Sequence, residues 1–77
     1  MPFVTVHVIE NTMTDEQKSA IQKGITELML SIEGETMRDV TWVVIEEWKS
    51  GALSIGGRAI TSEMSRARAA GKMPPKG

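Results

Sequence analysis

Residues 40–46 read Val-Thr-Trp-Val-Val-Ile-Glu. Four of the seven are aliphatic, and no glycine or proline interrupts them. Such a run predicts a strand buried on both faces. Upstream of it, Ile21, Ile25, Leu28, Met29 and Ile32 recur at spacings of four, three, one and three. That is one apolar stripe on a helix over about residues 15–32. Thr14 precedes it with Gln17 three residues on, a capping-box pattern, and Asp15 and Glu16 put negative charge in the first turn. Gly24 inside the helix permits close packing on a sheet, and Gly34 is a C-terminal stop. Further back, Phe3–Ile9 reads FVTVHVI, with Val4, Val6 and Val8 on one face and Thr5 and His7 on the other. This too is a strand.

Strand, helix, strand is a βαβ unit, whose strands run parallel with a right-handed crossover. The expected fold class is therefore α/β (α+β). After Trp48, the segments Lys49-Ser50-Gly51 and Leu53-Ser54-Ile55-Gly56-Gly57 carry turn chemistry with room for short hairpin strands. Residues 60–70 have moderate helix propensity. The reading is one domain over residues 1–70 and a flexible C-terminal tail over residues 71–77.

At 77 residues, this is a small core. Near this size a lone core rarely yields more than a few kcal/mol. The absence of cysteine excludes disulfides, thiolate metal sites and a cysteine nucleophile, and a single histidine makes a dedicated metal cage improbable. Two parallel strands under one helix also leave one face and both edges uncovered. Pairing between subunits is the expected remedy. A net charge of −1 supplies no field for nucleic acid or membrane, no apolar run approaches a membrane span, and no secretory signal opens the chain. A cytoplasmic protein is expected. Five basic residues (Arg58, Arg66, Arg68, Lys72, Lys76) nevertheless stand against Glu63 alone after Gly57.

Pro2 is the residue with chemistry to offer. Met followed by a small residue is normally removed, which would leave a free secondary amine at Pro2. An unperturbed α-amine titrates near 7.7–8.0, and an apolar pocket or a nearby cation lowers that value towards neutrality, where a general base works best. A strand beginning at residue 3 would hold the amine at the end of a sheet. Against this, many chains begin Met-Pro without being catalysts. His7 reads as a hydrogen-bonded strand residue rather than a catalyst. Glu46 and Glu47, adjacent on a strand, point to opposite faces and cannot act as a carboxylate pair. Trp42 and Trp48 either line a pocket or fill a subunit interface.

Taken in order, MPFVTVHVIEN, TDEQKSAIQKGITELM, VTWVVIEEWKSG and SIGGR resemble the 4-oxalocrotonate tautomerase family. The family's opening strand is matched by Pro2 with His7-Val8. Its helix start is matched by Thr14-Asp15-Glu16-Gln17-Lys18, and its IGG segment by Ile55-Gly56-Gly57. The resemblance spans residues 2–60. It implies a β-α-β subunit, a hexamer or related oligomer, and an isomerase that shifts a proton in an unsaturated 2-hydroxy or 2-keto acid, a chemistry of aromatic degradation. Pro2 falls on the catalytic proline. No metal or organic cofactor is implied.

The family's substrate arginines do not fall on arginines here. The first is replaced by Asn11-Thr12-Met13 and the second by Trp42, while the aromatic of the pocket floor is Leu53. Arg58, directly after Gly57, is the first candidate to hold a carboxylate in their place, followed by Arg38. Trp42 and Leu53 complete the expected substrate-binding set. Three readings follow from the substitution. The chain is a tautomerase with a rearranged anion site, homo-hexameric or joined to a related subunit. It is a hydratase or dehalogenase of an unsaturated acid, with protonated Pro2 as general acid. Or it is a non-catalytic or partner-dependent subunit.

Overall fold

The computed structural model describes residues 1–71. From residue 72 on, the expected tail lies outside the described residues. The elements run β1 (Phe3–Ile9), α1 (Asp15–Glu33), a 3₁₀ helix (Glu35–Val40), β2 (Trp42–Trp48), β3 (Leu53–Ile55), β4 (Arg58–Ile60) and α2 (Ser62–Ala69). Strands β1 and β2 form one sheet, β3 and β4 another. The β1–β2 pair is parallel. The amide of Trp42 donates to the carbonyl of Pro2 at one end (3.0 Å), and that of Glu10 donates to Trp48 at the other (2.7 Å). The expected β-α-β fold with its C-terminal hairpin and short helix is what forms. No helix among the described residues is long and apolar enough to cross a membrane.

By its contacts the chain divides into two compact units. Met1–His7 with Met13–Glu46 make the first; Val8–Thr12 with the chain from Glu47 on make the second. In the first unit, α1 starts as its sequence demands. Thr14 accepts from the amide of Gln17 (3.1 Å), and the Gln17 side chain accepts from the amide of Thr14 (2.8 Å). Gly34 ends the helix at φ +103°, a left-handed conformation that favours glycine.

The apolar stripe is narrower than expected. Ile21, Ile25 and Met29 are half-buried and Leu30 is 6 % exposed, whereas Leu28 and Ile32 are exposed. Leu28 and Ile32, one turn apart, form a second, exposed apolar row that nothing among the described residues covers. Gly24 faces open space, so the close packing expected of it does not occur within one chain. Leu30 is the one buried large apolar residue among those described. Truncation of Leu30 to Ala is expected to cost about 2–3 kcal/mol, read as a lower urea midpoint at fixed protomer concentration. A midpoint unchanged from wild type would remove Leu30 from the core.

Strand β2 begins two residues later than expected. Val40 closes the 3₁₀ helix instead, and the Thr41 hydroxyl bonds Glu33 Oε1 (2.6 Å) and the carbonyl of Met37 (2.8 Å). Nor is β2 buried on both faces. Val43 and Ile45 are half-buried, but Trp42 is 52 % and Val44 44 % exposed. Apolar character alone does not bury a face that has no element to lie against.

In the second unit, β3 and β4 pair antiparallel, with Leu53 opposite Ile60 and Ile55 opposite Arg58. Gly56 (φ +61°) and Gly57 (φ +83°) form the two-residue turn, which requires positive φ at both positions. Ile60 ends β4, so α2 begins only at Ser62, capped by Thr61, whose hydroxyl accepts from the amide of Met64 (3.2 Å). Ser62 is 3 % exposed and fully bonded: its hydroxyl donates to the carbonyl of Glu10 (2.6 Å) and its amide to Ser50 Oγ (2.8 Å). Glu10 Oε2 accepts from the amide of Ser50 (2.9 Å), and Arg66 Nη1 donates to the carbonyl of Asn11 (2.6 Å).

Candidate active site

Pro2 is half-buried and immediately precedes β1. Its carbonyl is held by the Trp42 amide, so the parallel ladder begins on the proline itself. The next side chain, Phe3, meets the Trp42 ring edge-on, with centroids 5.4 Å apart and planes at 65°. Two of the expected residues, Pro2 and Trp42, are thus brought together by strand register. On the same strands, His7 Nδ1 lies 3.3 Å from Glu46 Oε2, a cross-strand pair whose members are both exposed.

Leu53 and Arg58 lie on the same β3–β4 hairpin but at opposite ends of its short ladder. Both are half-buried. Arg58 lines a cleft of about 300 Å³ with Ile55, Ile60, Met64, Ser65 and Arg68. Sequence reasoning counted Arg68 only as part of a basic tail. Its signal was the four-residue spacing from Met64, which puts both side chains on one face of a helix.

Arg38 is engaged otherwise. Its guanidinium bonds Glu27 through Nη1 (2.7 Å) and Nη2 (3.2 Å), and Glu35 through Nε (2.7 Å) and Nη2 (2.9 Å). This double fork ties the 3₁₀ helix to α1. Hydrogen bonds to Glu35, then Glu27, raise the Arg38 pKa further above its ordinary value. The hydrogen bond from Arg38 holds the Glu35 carboxyl below its ordinary value of 4.5. A carboxyl lowered in the folded state stabilises above its unfolded pKa, and that contribution disappears as pH falls through the folded value. The stability gap between wild type and Glu35→Gln is therefore expected to narrow in acid below about pH 4.5. Urea melts at pH 7, 4 and 2.5 measure it, and a gap independent of pH would contradict the pairing.

Residues 2–63 match the family model described as "Tautomerase enzyme". The chain belongs to the tautomerase family. A relative described as "Probable tautomerase K2", from Dickeya dadantii (strain 3937), is 31 % identical over 67 residues, which cover 87 % of this chain and 98 % of that protein. Among solved structures, YwhB, a homologue of 4-oxalocrotonate tautomerase, superposes with a TM-score of 0.66. It is 31 % identical and the match covers 75 % of this chain and 92 % of YwhB. The structure described as apo unFused 4-OT gives 0.67 at 28 % identity, covering 87 % and 98 % of the two chains. TomN, at 20 % identity and a TM-score of 0.69, shares the fold. Membership in the tautomerase family supports an isomerase activity of the tautomerase type. The family match begins at Pro2 and ends at Glu63, the second residue of α2, so Met64, Ser65 and Arg68 lie beyond it.

Proposed function

We propose that this chain catalyses keto–enol tautomerisation of an unsaturated 2-hydroxy or 2-keto acid, with the amine of Pro2, exposed by removal of Met1, as general base. The observation that carries the reading is the setting of Pro2: first residue of the family match, half-buried, and pinned through its carbonyl to Trp42. A base fixed at a strand end meets the substrate in one orientation, which lowers the entropic part of the barrier. The proline nitrogen takes the enol hydroxyl proton while the enol double bond shifts to make the carbonyl. The resulting ammonium returns a proton to carbon. One proton leaves oxygen, one arrives at carbon, and the amine is regenerated without a cofactor.

Asn11-Thr12-Met13 and Trp42 stand where the family pattern has its substrate arginines, so the carboxylate passes to another cation. Arg58, directly after Gly57, takes that role first, followed by Arg38, whose guanidinium bonds Glu27 and Glu35. Trp42, whose amide holds the Pro2 carbonyl, supplies apolar surface next to the base, and Leu53 supplies apolar surface on the hairpin that carries Arg58. The working protein is an oligomer of copies of this chain, a hexamer in the family's manner. Phe3, Leu28, Ile32, Trp42 and Val44 of the first unit are exposed in the single chain, as is Ile55 of the second, and a neighbouring copy would cover such apolar side chains.

Ultraviolet absorbance tests the reading. Phenylenolpyruvate or 2-hydroxymuconate should lose its enol absorbance faster with the protein than without. The intact mass of the same sample should correspond to a chain beginning at Pro2. Decay at the buffer rate by a preparation that does begin at Pro2 would refute the activity.

A further inference from the structure

With Met1 removed, Pro2 is the end of the chain, and a chain end is ordered only where something ties it down. Proline offers little to tie. Inside a chain its nitrogen has no N–H for a sheet, and as a free base the nitrogen must stay out of the ladder. That leaves the carbonyl, which accepts from the Trp42 amide (3.0 Å). A single bond at the end of a two-stranded sheet opens readily. The next side chain along is Phe3, whose ring meets the Trp42 ring edge-on, with centroids 5.4 Å apart and planes at 65°. Both residues belong to the first unit. Val4 and Val43, the next residues on the two strands, are half-buried, so the rings lie on the opposite, exposed face. Trp42 therefore touches the end of β1 twice, through its amide to Pro2 and through its ring to Phe3.

We infer that Phe3 and Trp42 are positioning residues for Pro2: their ring contact keeps the Trp42–Pro2 ladder bond closed and so fixes where the proline nitrogen stands. Neither ring takes part in proton transfer. One bond alone lets the proline swing about it; a bond and a ring contact one residue apart do not. A general base works only within hydrogen-bond reach of the proton it takes, so a swinging chain end is out of reach for part of the time. An edge-to-face aromatic pair shifts such a closing equilibrium by roughly three- to tenfold. What this means for turnover rests on Pro2 being the base; the closing of the ladder bond does not.

Phe3→Leu and Trp42→Leu test the assignment, because leucine keeps apolar bulk and removes only the ring. Amide hydrogen exchange of the full-length protein is read first and needs no turnover. In either variant the Trp42 amide should exchange about three- to tenfold faster than in wild type. The Gly34 amide, which donates to the Leu30 carbonyl at the end of α1 (2.8 Å), should exchange as before. The double variant should be no faster than either single one, since each removes the same contact. The swapped pair, Phe3→Trp with Trp42→Phe, should restore the wild-type rate. Thr5→Val, two residues further along β1, should leave it unchanged. An unchanged Trp42 amide in both leucine variants, or effects that add in the double variant, would overturn the inference. With phenylenolpyruvate, both leucine variants should lose kcat by a similar factor at little change in KM. An effect of Trp42→Leu on KM alone would make the ring only a wall of the site and refute its positioning role. The two readings fail separately. A faster Trp42 amide alongside a fully active Pro2→Ala keeps the ring contact and removes the base. An unchanged amide alongside an inactive Pro2→Ala does the reverse.

Discussion

Replacement of Pro2 by Ala should slow enol-acid conversion by at least about 100-fold, within the roughly 100- to 10,000-fold range of a positioned acid–base group. Alanine keeps an amine once Met1 is removed, so residual turnover is expected rather than none. The loss comes from geometry and rigidity: the pyrrolidine ring fixes the nitrogen relative to Cα, and the Pro2 carbonyl accepts the ladder bond from the Trp42 amide. A second protein with uncleaved residues ahead of Pro2 keeps the side chain but turns the amine into an amide. It should be inactive even though its fold is intact by circular dichroism. His7→Ala should retain activity, since His7 faces Glu46. Full turnover by the blocked protein would rule out the amine as the base, whatever Pro2→Ala does.

The second large effect concerns the uncovered face of the β1–β2 sheet. Val44→Asp should convert the oligomer to smaller species at micromolar concentration, as read by sedimentation or native mass spectrometry. Val44 is 44 % exposed in the single chain, on the strand that also carries exposed Trp42. If a neighbouring copy covers this face, each introduced carboxylate is buried without a partner. The effective penalty is on the order of several kcal/mol per ion, repeated at every symmetry-related contact. Val44→Thr, of similar size and uncharged, should leave the assembly in place. A wild-type chain that sediments as a monomer would end the oligomer reading directly.

Local signals in the sequence were dependable wherever one residue determines its own conformation. Thr14 with Gln17, Gly34, and the Gly56-Gly57 pair each stand where they were read, because caps and positive-φ turns involve neighbours only. Signals that depend on a distant surface were not. Leu28 and Ile32 have the same helical spacing as Ile21 and Ile25, yet periodicity does not say where the facing element ends. Val40 suits a strand or the end of a 3₁₀ helix equally well, and the bonds of Thr41 decide between them. For the candidate site, Pro2 stands out by its place after Met1 together with the family resemblance, and the structure adds that it is half-buried with its carbonyl bonded to Trp42. The engagement of Arg38 with Glu27, 11 residues away, was not, since the two meet only after the chain turns at Gly34.

The bonds around Ser62 also bear on how the protein is made. Glu10 reaches Ser62 across 52 positions and Asn11 reaches Arg66 across 55. Closing such long loops is slow compared with forming α1 or the hairpin. On the ribosome, β1 therefore leaves the exit tunnel long before the residues that tether its end exist. The turn that follows β1 gains its bonds to Ser62 and Arg66 only once α2 has been synthesised.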